Sequence, residues 1–177
     1  NQMLCGYYAF EGFAFQRQNL LLIAKDLYEG LLTLCFPMRG GNHAIPFFSL
    51  IYPVQVAEYI RYSGDKAILA EVGDVIKTIM KTFSARVESN GLIASFPYPY
   101  WNFYEWRDEL DGKGSGERFD AVLNCLLSLA LDRMQRLCAL LQIDRDEQPR
   151  IASLNRRIAE MFYVPEKNRF RNRSDSY

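Results

Sequence analysis

The sequence predicts an all-α protein made of antiparallel helical hairpins, and three observations predict it. Apolar residues recur at intervals of three and four over most of the chain. No segment alternates apolar and polar residues as a half-buried strand would, and one short motif repeats at the junctions between hairpins. With 177 residues, 49% of them hydrophobic, the chain is long enough to form one domain with a closed core.

The elements follow in order. Leu4, Tyr7 and Tyr8 stand at helical spacing before Gly12. A second run carries Leu20, Leu21, Ile23, Ala24 and Leu27 up to Glu29-Gly30, so the two make a first hairpin. Beyond Pro37 and the Gly40-Gly41 pair, Phe47, Leu50, Ile51, Val54, Ala57 and Ile60 share a stripe, in a helix that Pro53 should delay or kink. Gly64-Asp65 reads as a helix stop followed by the next N-cap. The cleanest amphipathic pattern comes next: Ile68, Leu69, Val72, Val75, Ile76, Ile79, Met80, Phe83 and Val87 on one face, with Glu71, Lys77 and Lys81 elsewhere.

Residues 88–116 are rich in Pro, Gly and aromatics, and an irregular segment of that length is uncommon in a compact helical domain unless it has a function. The third hairpin begins near Arg118. Leu123, Leu126, Leu127, Ala130, Met134, Leu137, Cys138 and Leu141 form one face of its first helix, with Asn124, Ser128, Asp132 and Arg136 away from it. Asp144 or Asp146 caps its second helix and Pro149 sits in the first turn, where a missing N–H costs little. Ile151, Leu154, Ile158, Met161 and Phe162 form the stripe.

The repeat supports this division. The run from Glu29 to Pro37, EGLLTLCFP, aligns with the run from Asn90 to Pro97, NGLIASFP, at an offset of 61 residues from Gly30 to Gly91. Glu166-Lys167-Asn168-Arg169-Phe170 follows the third hairpin in the corresponding place with less fidelity. A repeated unit of this kind stacks against its neighbours, gathers its loops at common ends, and places short extended pieces near 31–36 and 92–96.

Composition narrows the function. Lys+Arg and Asp+Glu number 21 each, so the net charge is zero and the chain has no electrostatic footprint for nucleic acid or an anionic membrane surface. The alternating Lys167, Arg169, Arg171 and Arg173 read as a solvated tail. No apolar run approaches the roughly 20 residues that span a bilayer. Four cysteines without CxxC spacing and a single histidine predict neither a zinc site nor a dense disulfide framework, but single buried thiols. Gly40-Gly41 lacks the flanking strand and Lys-Ser/Thr of a phosphate loop. His43, with no Ser or Cys partner at recognisable spacing, reads as surface, and no cofactor is expected. The opening NQMLCGYYAF has no basic n-region, so the chain reads as a soluble piece of a longer one, its compartment left open.

The chemical signal is concentrated in WNFYEWRDELDG, from Trp101 to Gly112, which places four rings and four carboxylates (Glu105, Asp108, Glu109, Asp111) in twelve residues. Rings present flat apolar faces to the C–H face of a sugar, and carboxylates accept hydroxyl hydrogen bonds or exchange protons at a glycosidic oxygen. The competing reading is a loop whose rings plug the core while its charges sit in water.

Four segments in order, Ala44 to Leu50 (AIPFFSL), Tyr59 to Asp65 (YIRYSGD), Glu88 to Leu92 (ESNGL) and Trp101 to Trp106 (WNFYEW), resemble the IPxFSL, YxxYTGD, DENGLL and WNFxDW segments of six-hairpin glycosidases of the alpha-L-rhamnosidase type. Phe162 to Lys167, FYVPEK, is similar to that family's FYDxEKGLF. The resemblance covers essentially the whole chain. It implies about half of an (α/α)6 toroid, as three hairpins of a larger catalytic domain, and hydrolysis of terminal alpha-L-rhamnosides or related sugars with inversion by the full-length protein.

Glu105 and Trp106 fall on the family's Asp-Trp position, which implies a hydroxyl acceptor and a stacking platform, with Trp101 as a further substrate contact. Glu for Asp extends the acceptor by one methylene, so the sugar preference does not carry over. The family's acid-bearing DCPxRxxxxxxGD segment has no match here, and its base lies in a later hairpin, so the catalytic pair is expected outside this chain. Asp108, Asp111 and Glu117 read as loop or capping charges. A half ring exposes lateral apolar faces, so the expected partners are carbohydrate and either a second copy of the chain or the rest of the toroid. Two other readings remain. One is a non-catalytic carbohydrate-binding or helical-repeat module; the other is a toroid polysaccharide lyase, against which the neutral charge and single histidine argue.

Overall fold

The computed structural model describes residues 2–10, 12–36, 44–107, 110 and 119–172. Among them are six α-helices: α1 (Gln2–Ala9), α2 (Ala14–Ile23), α3 (Pro46–Ser63), α4 (Ile68–Ser84), α5 (Ala121–Leu140) and α6 (Gln148–Phe162). Two small antiparallel ladders accompany them, β1 (Leu27–Tyr28) with β2 (Leu31–Leu32) and β3 (Tyr163–Val164) with β4 (Arg169–Phe170). The molecule is mostly helical, as the periodicity predicts. Helix α5 packs most extensively against α3 and α6, and α3 also touches α1, α2 and α4. Among the described residues no helix is long and apolar enough to cross a membrane.

Helix α4 follows its pattern closely. Ile68, Leu69, Val72, Ile76, Ile79, Met80 and Phe83 are all buried. Elsewhere the structure corrects the sequence reading. Helix α2 stops at Ile23, so Leu27 is not on its stripe but in β1, and Glu29-Gly30 is the turn of a β-hairpin. Both turn residues have positive φ, 49° and 82°, the conformation that two-residue hairpins favour. Pro53 neither delays nor ends α3, which begins with Pro46 in its first turn and runs on through Pro53. In α1 the inward residues are Met3 and Tyr7, while Leu4 and Tyr8 lie exposed. Of the four cysteines only Cys138 is buried; Cys5, Cys35 and Cys125 are exposed.

The repeat is visible in the backbone. A β-turn follows each successive pair of helices: β1–β2 around Gly30, the Val87 to Ile93 bridge around Gly91 (φ 82°), and β3–β4 around Asn168 (φ 46°). The first two turns are each held by the fourth residue of the next hairpin's first helix. Ser49 Oγ in α3 accepts the Leu32 N–H at 2.9 Å. Asn124 in α5 accepts the Ile93 N–H at 2.9 Å and donates to the Ile93 carbonyl at 2.9 Å. Asn124, expected to point away from the core, is therefore fully buried, because its amide completes a strand edge as a peptide would. An open apolar groove of about 610 Å³ flanks α5, walled by Val122, Cys125, Leu126, Leu129 and Phe170.

YIRYSGD turns out to be the joint between α3 and α4. Gly64 closes α3 in the left-handed conformation. Asp65 accepts hydrogen bonds from the Ala67 N–H (3.0 Å), the Tyr59 hydroxyl (2.9 Å) and Arg17 Nε (3.0 Å), tying both helices to α2. The Tyr59 hydroxyl first, then the Arg17 guanidinium, hold the Asp65 carboxyl below the ordinary carboxylate range. A depressed acid stabilises the fold above its unfolded pKa and loses that contribution as pH falls through the folded value. The stability gap between the native chain and Asp65→Asn, followed by denaturant titration, should therefore be constant near neutrality and shrink below about pH 3.9. A gap independent of pH down to pH 2 would show that the charge plays no part.

Candidate functional site

A cleft of about 660 Å³ opens where the N-terminus of α3, the residues after β2 and the 103–106 loop meet. Phe47, Phe48, Ile51 and Gln55 of α3 form one side, Thr33 to Phe36 another, and Phe103 to Trp106 the third.

The loop has a buried half and an exposed half. Asn102 is 4% exposed, and its side chain accepts the Phe96 N–H (2.9 Å) and donates to the Phe96 carbonyl (2.7 Å), the same device that Asn124 applies to Ile93. Phe103 is buried beside it. The Trp101 N–H donates to the Ala44 carbonyl at 3.2 Å, fixing the loop to the entry of α3. Tyr104 meets Phe47 edge to face at 5.3 Å and donates its hydroxyl to the buried Asp120 at 2.9 Å. The Tyr104 and Glu105 N–H groups both reach the Leu110 carbonyl, at 2.8 and 3.2 Å, which closes the loop behind its tip.

Glu105 and Trp106 occupy that tip. Trp106 is 72% exposed, yet its ring is braced against Phe103 (4.7 Å) and Trp101 (5.7 Å, edge to face). Such a ring keeps its orientation while offering apolar area to a ligand. Glu105 is exposed on the cleft wall, with one carboxylate oxygen accepting the Trp106 N–H at 2.7 Å. Trp101, the third residue singled out by sequence, is half-buried and does not line the cleft; it contributes as the brace under Trp106.

Among the described residues Glu105 is the only carboxylate on the cleft wall. His43, the Gly40-Gly41 pair, Asp108, Glu109, Asp111, Glu117 and Arg173 lie outside the described residues. No cluster of three His, Cys, Asp or Glu side chains suited to a metal ion occurs among those described.

The α3 wall is what sequence reasoning missed. Phe47 reads as a core residue and Phe48 carries no role. Yet adjacent helical positions diverge by about 100°, so one of two consecutive rings at a helix start must leave the core stripe. Phe48 is 41% exposed and faces the cleft. Gln55 is unremarkable in sequence, since only the tertiary fold brings it to the opening. No protein-family model matches the chain, and no curated protein matches it in sequence.

Proposed function

We propose that this chain is the substrate-contacting part of a glycoside hydrolase of alpha-L-rhamnosidase type, its three hairpins forming about half of an (α/α)6 ring whose full-length form cleaves terminal glycosides with inversion. The observation that carries this reading is the joint placement of an exposed, braced Trp106 and the carboxylate of Glu105 on the wall of one cleft. In this reading the groove beside α5 receives the next helix of the ring, because the repeat puts α5 in the corresponding place on α3. A second copy of the chain in that groove would appear as a dimer in sedimentation.

One observation favours a non-catalytic carbohydrate-binding module instead. Inversion requires two carboxyl groups roughly 6.5 to 9.5 Å apart, and among the described residues the cleft wall supplies one. Hydrolysis separates the two readings. This chain alone should leave aryl alpha-L-rhamnosides essentially intact, while a longer form carrying the acid segment upstream and further hairpins downstream should cleave some aryl glycoside; if the longer form is inert toward a panel of aryl glycosides, the module reading stands.

Binding tests both. Trp106→Ala removes the stacking face and Glu105→Gln an ionised acceptor, whose hydrogen bonds contribute about 1.5 to 3 kcal/mol. Each variant should weaken sugar binding by about tenfold or more in calorimetry. Unchanged affinity in both would take the loop tip out of the binding site.

A further inference from the structure

A groove of about 530 Å³ runs between the C-terminal halves of α3 and α5, whereas the cleft lies toward the N-terminus of α3. Each helix lends the groove one stripe. On α3, Ala57, Ile60, Arg61 and Gly64 stand at i, i+3, i+4 and i+7, and on α5, Arg133, Arg136, Leu137 and Leu140 repeat that spacing. At 1.5 Å per residue each stripe runs about 10 Å, or two helical turns. Ile60 and Leu137 are buried and form an apolar floor, while Arg61, Lys66 and Arg136 are exposed.

The charge around this floor is one-sided. Arg61, Lys66, Arg133 and Arg136 are met by one lining carboxylate, Glu58, in a chain whose net charge is zero. Asp132 offsets part of the surplus by pairing with Arg133 and, at 3.1 Å, with Arg136. Arg61 and Lys66 form no ion pair among the described residues. Helix dipoles explain Arg61 alone, which lies in the last turn of α3. The last turn of α5 holds no basic residue, and Lys66 stands just before α4, where the dipole disfavours a cation.

Floor and rim together select a ligand. A small inorganic anion gains nothing from apolar side chains, and a single-headed amphiphile such as a fatty acid meets one cation and leaves the rest. A helix with carboxylates on both flanks of an apolar stripe satisfies both features over the two turns on offer. We propose that this groove docks an acidic amphipathic helix of a partner protein, its apolar stripe on Ile60 and Leu137 and its carboxylates against Arg61 and Lys66 on one rim and Arg133 and Arg136 on the other. The proposal is independent of what the cleft binds.

The probe is a short helical peptide with leucines at i, i+3, i+4 and i+7 and glutamates beside them, titrated into the whole chain by calorimetry. Its counterpart carries lysines in place of the glutamates. The glutamate peptide should bind about tenfold more tightly or better, and its affinity should fall as salt is added. Arg61→Glu combined with Lys66→Glu should reverse the preference with the circular dichroism unchanged, since both side chains are exposed and outside every ion pair described. Arg61→Lys combined with Lys66→Arg should keep it. Equal affinity for the two peptides, or a preference that survives the double reversal, would overturn the proposal. So would dodecanoate binding that the double reversal abolishes while neither peptide binds, which would assign the groove to a single-headed amphiphile. Loss of peptide binding in a longer form of the chain would also overturn it, because the groove would then be covered by the protein's own helices.

Discussion

Replacing Asn124 with alanine should lower the melting midpoint by about 10 °C. Asn124 and Ile93 are both fully buried, and the Asn124 amide is the partner of the Ile93 N–H and of its carbonyl, while also donating to the Asp120 carbonyl at 3.0 Å. Truncation strands both peptide groups of Ile93 where water has little access, at about 1 to 3 kcal/mol each. For a chain of this size each kcal/mol shifts the midpoint by about 2 to 4 °C. Asn124→Asp should be no rescue, because it keeps the acceptor for the N–H but turns an oxygen toward two carbonyls. A loss below about 1 kcal/mol for the alanine variant would mean that the surroundings re-pair the exposed strand edge.

Gly30→Ala should be the next most damaging change, with a loss of about 3 kcal/mol in urea titration. The residue sits at φ 82°, where an L side chain costs about 1 to 2 kcal/mol, and a methyl group there would stand 2.2 Å from Thr82 Oγ1. The two contributions can be separated. Thr82→Ala in the Gly30→Ala background removes the collision and should recover the steric part, leaving the backbone part. No recovery would show that the turn itself has been displaced.

These two sites mark how far the sequence could be read. Hydrophobic spacing locates α4 and α6 well because their stripes face a core and little else. It misplaces Asn124, because periodicity registers polarity and cannot see that an amide can stand in for a strand. It extends α2 through Leu27 because a buried hairpin of Leu31 and Leu32 has the same apolar character as a helix turn. It reads Pro53 as delaying or kinking the helix, whereas α3 starts seven residues before it and runs on through it, since a proline removes only one N–H. In the cleft, Glu105 and Trp106 are legible because rings and carboxylates crowd one loop. Phe48 and Gln55 are not, because each acquires its place from a contact with a distant element. The WNF half of the motif proves to be anchorage, with Asn102 and Phe103 inside and Glu105 and Trp106 outside.

The latching of the first two β-turns by the helices that follow them also sets a timetable for a nascent chain. Leu32 waits 17 residues for Ser49, and Ile93 waits 31 for Asn124. At about 5 to 20 residues per second, ribosomal synthesis leaves the second turn without its clasp for roughly 2 to 6 seconds. Helices form in microseconds or less, so the interval is long on the scale of local folding. During it the apolar Leu92 and Ile93 have no strand-edge cover from α5, and the emerging polypeptide is most open at that point to chaperone capture or to wrong pairing.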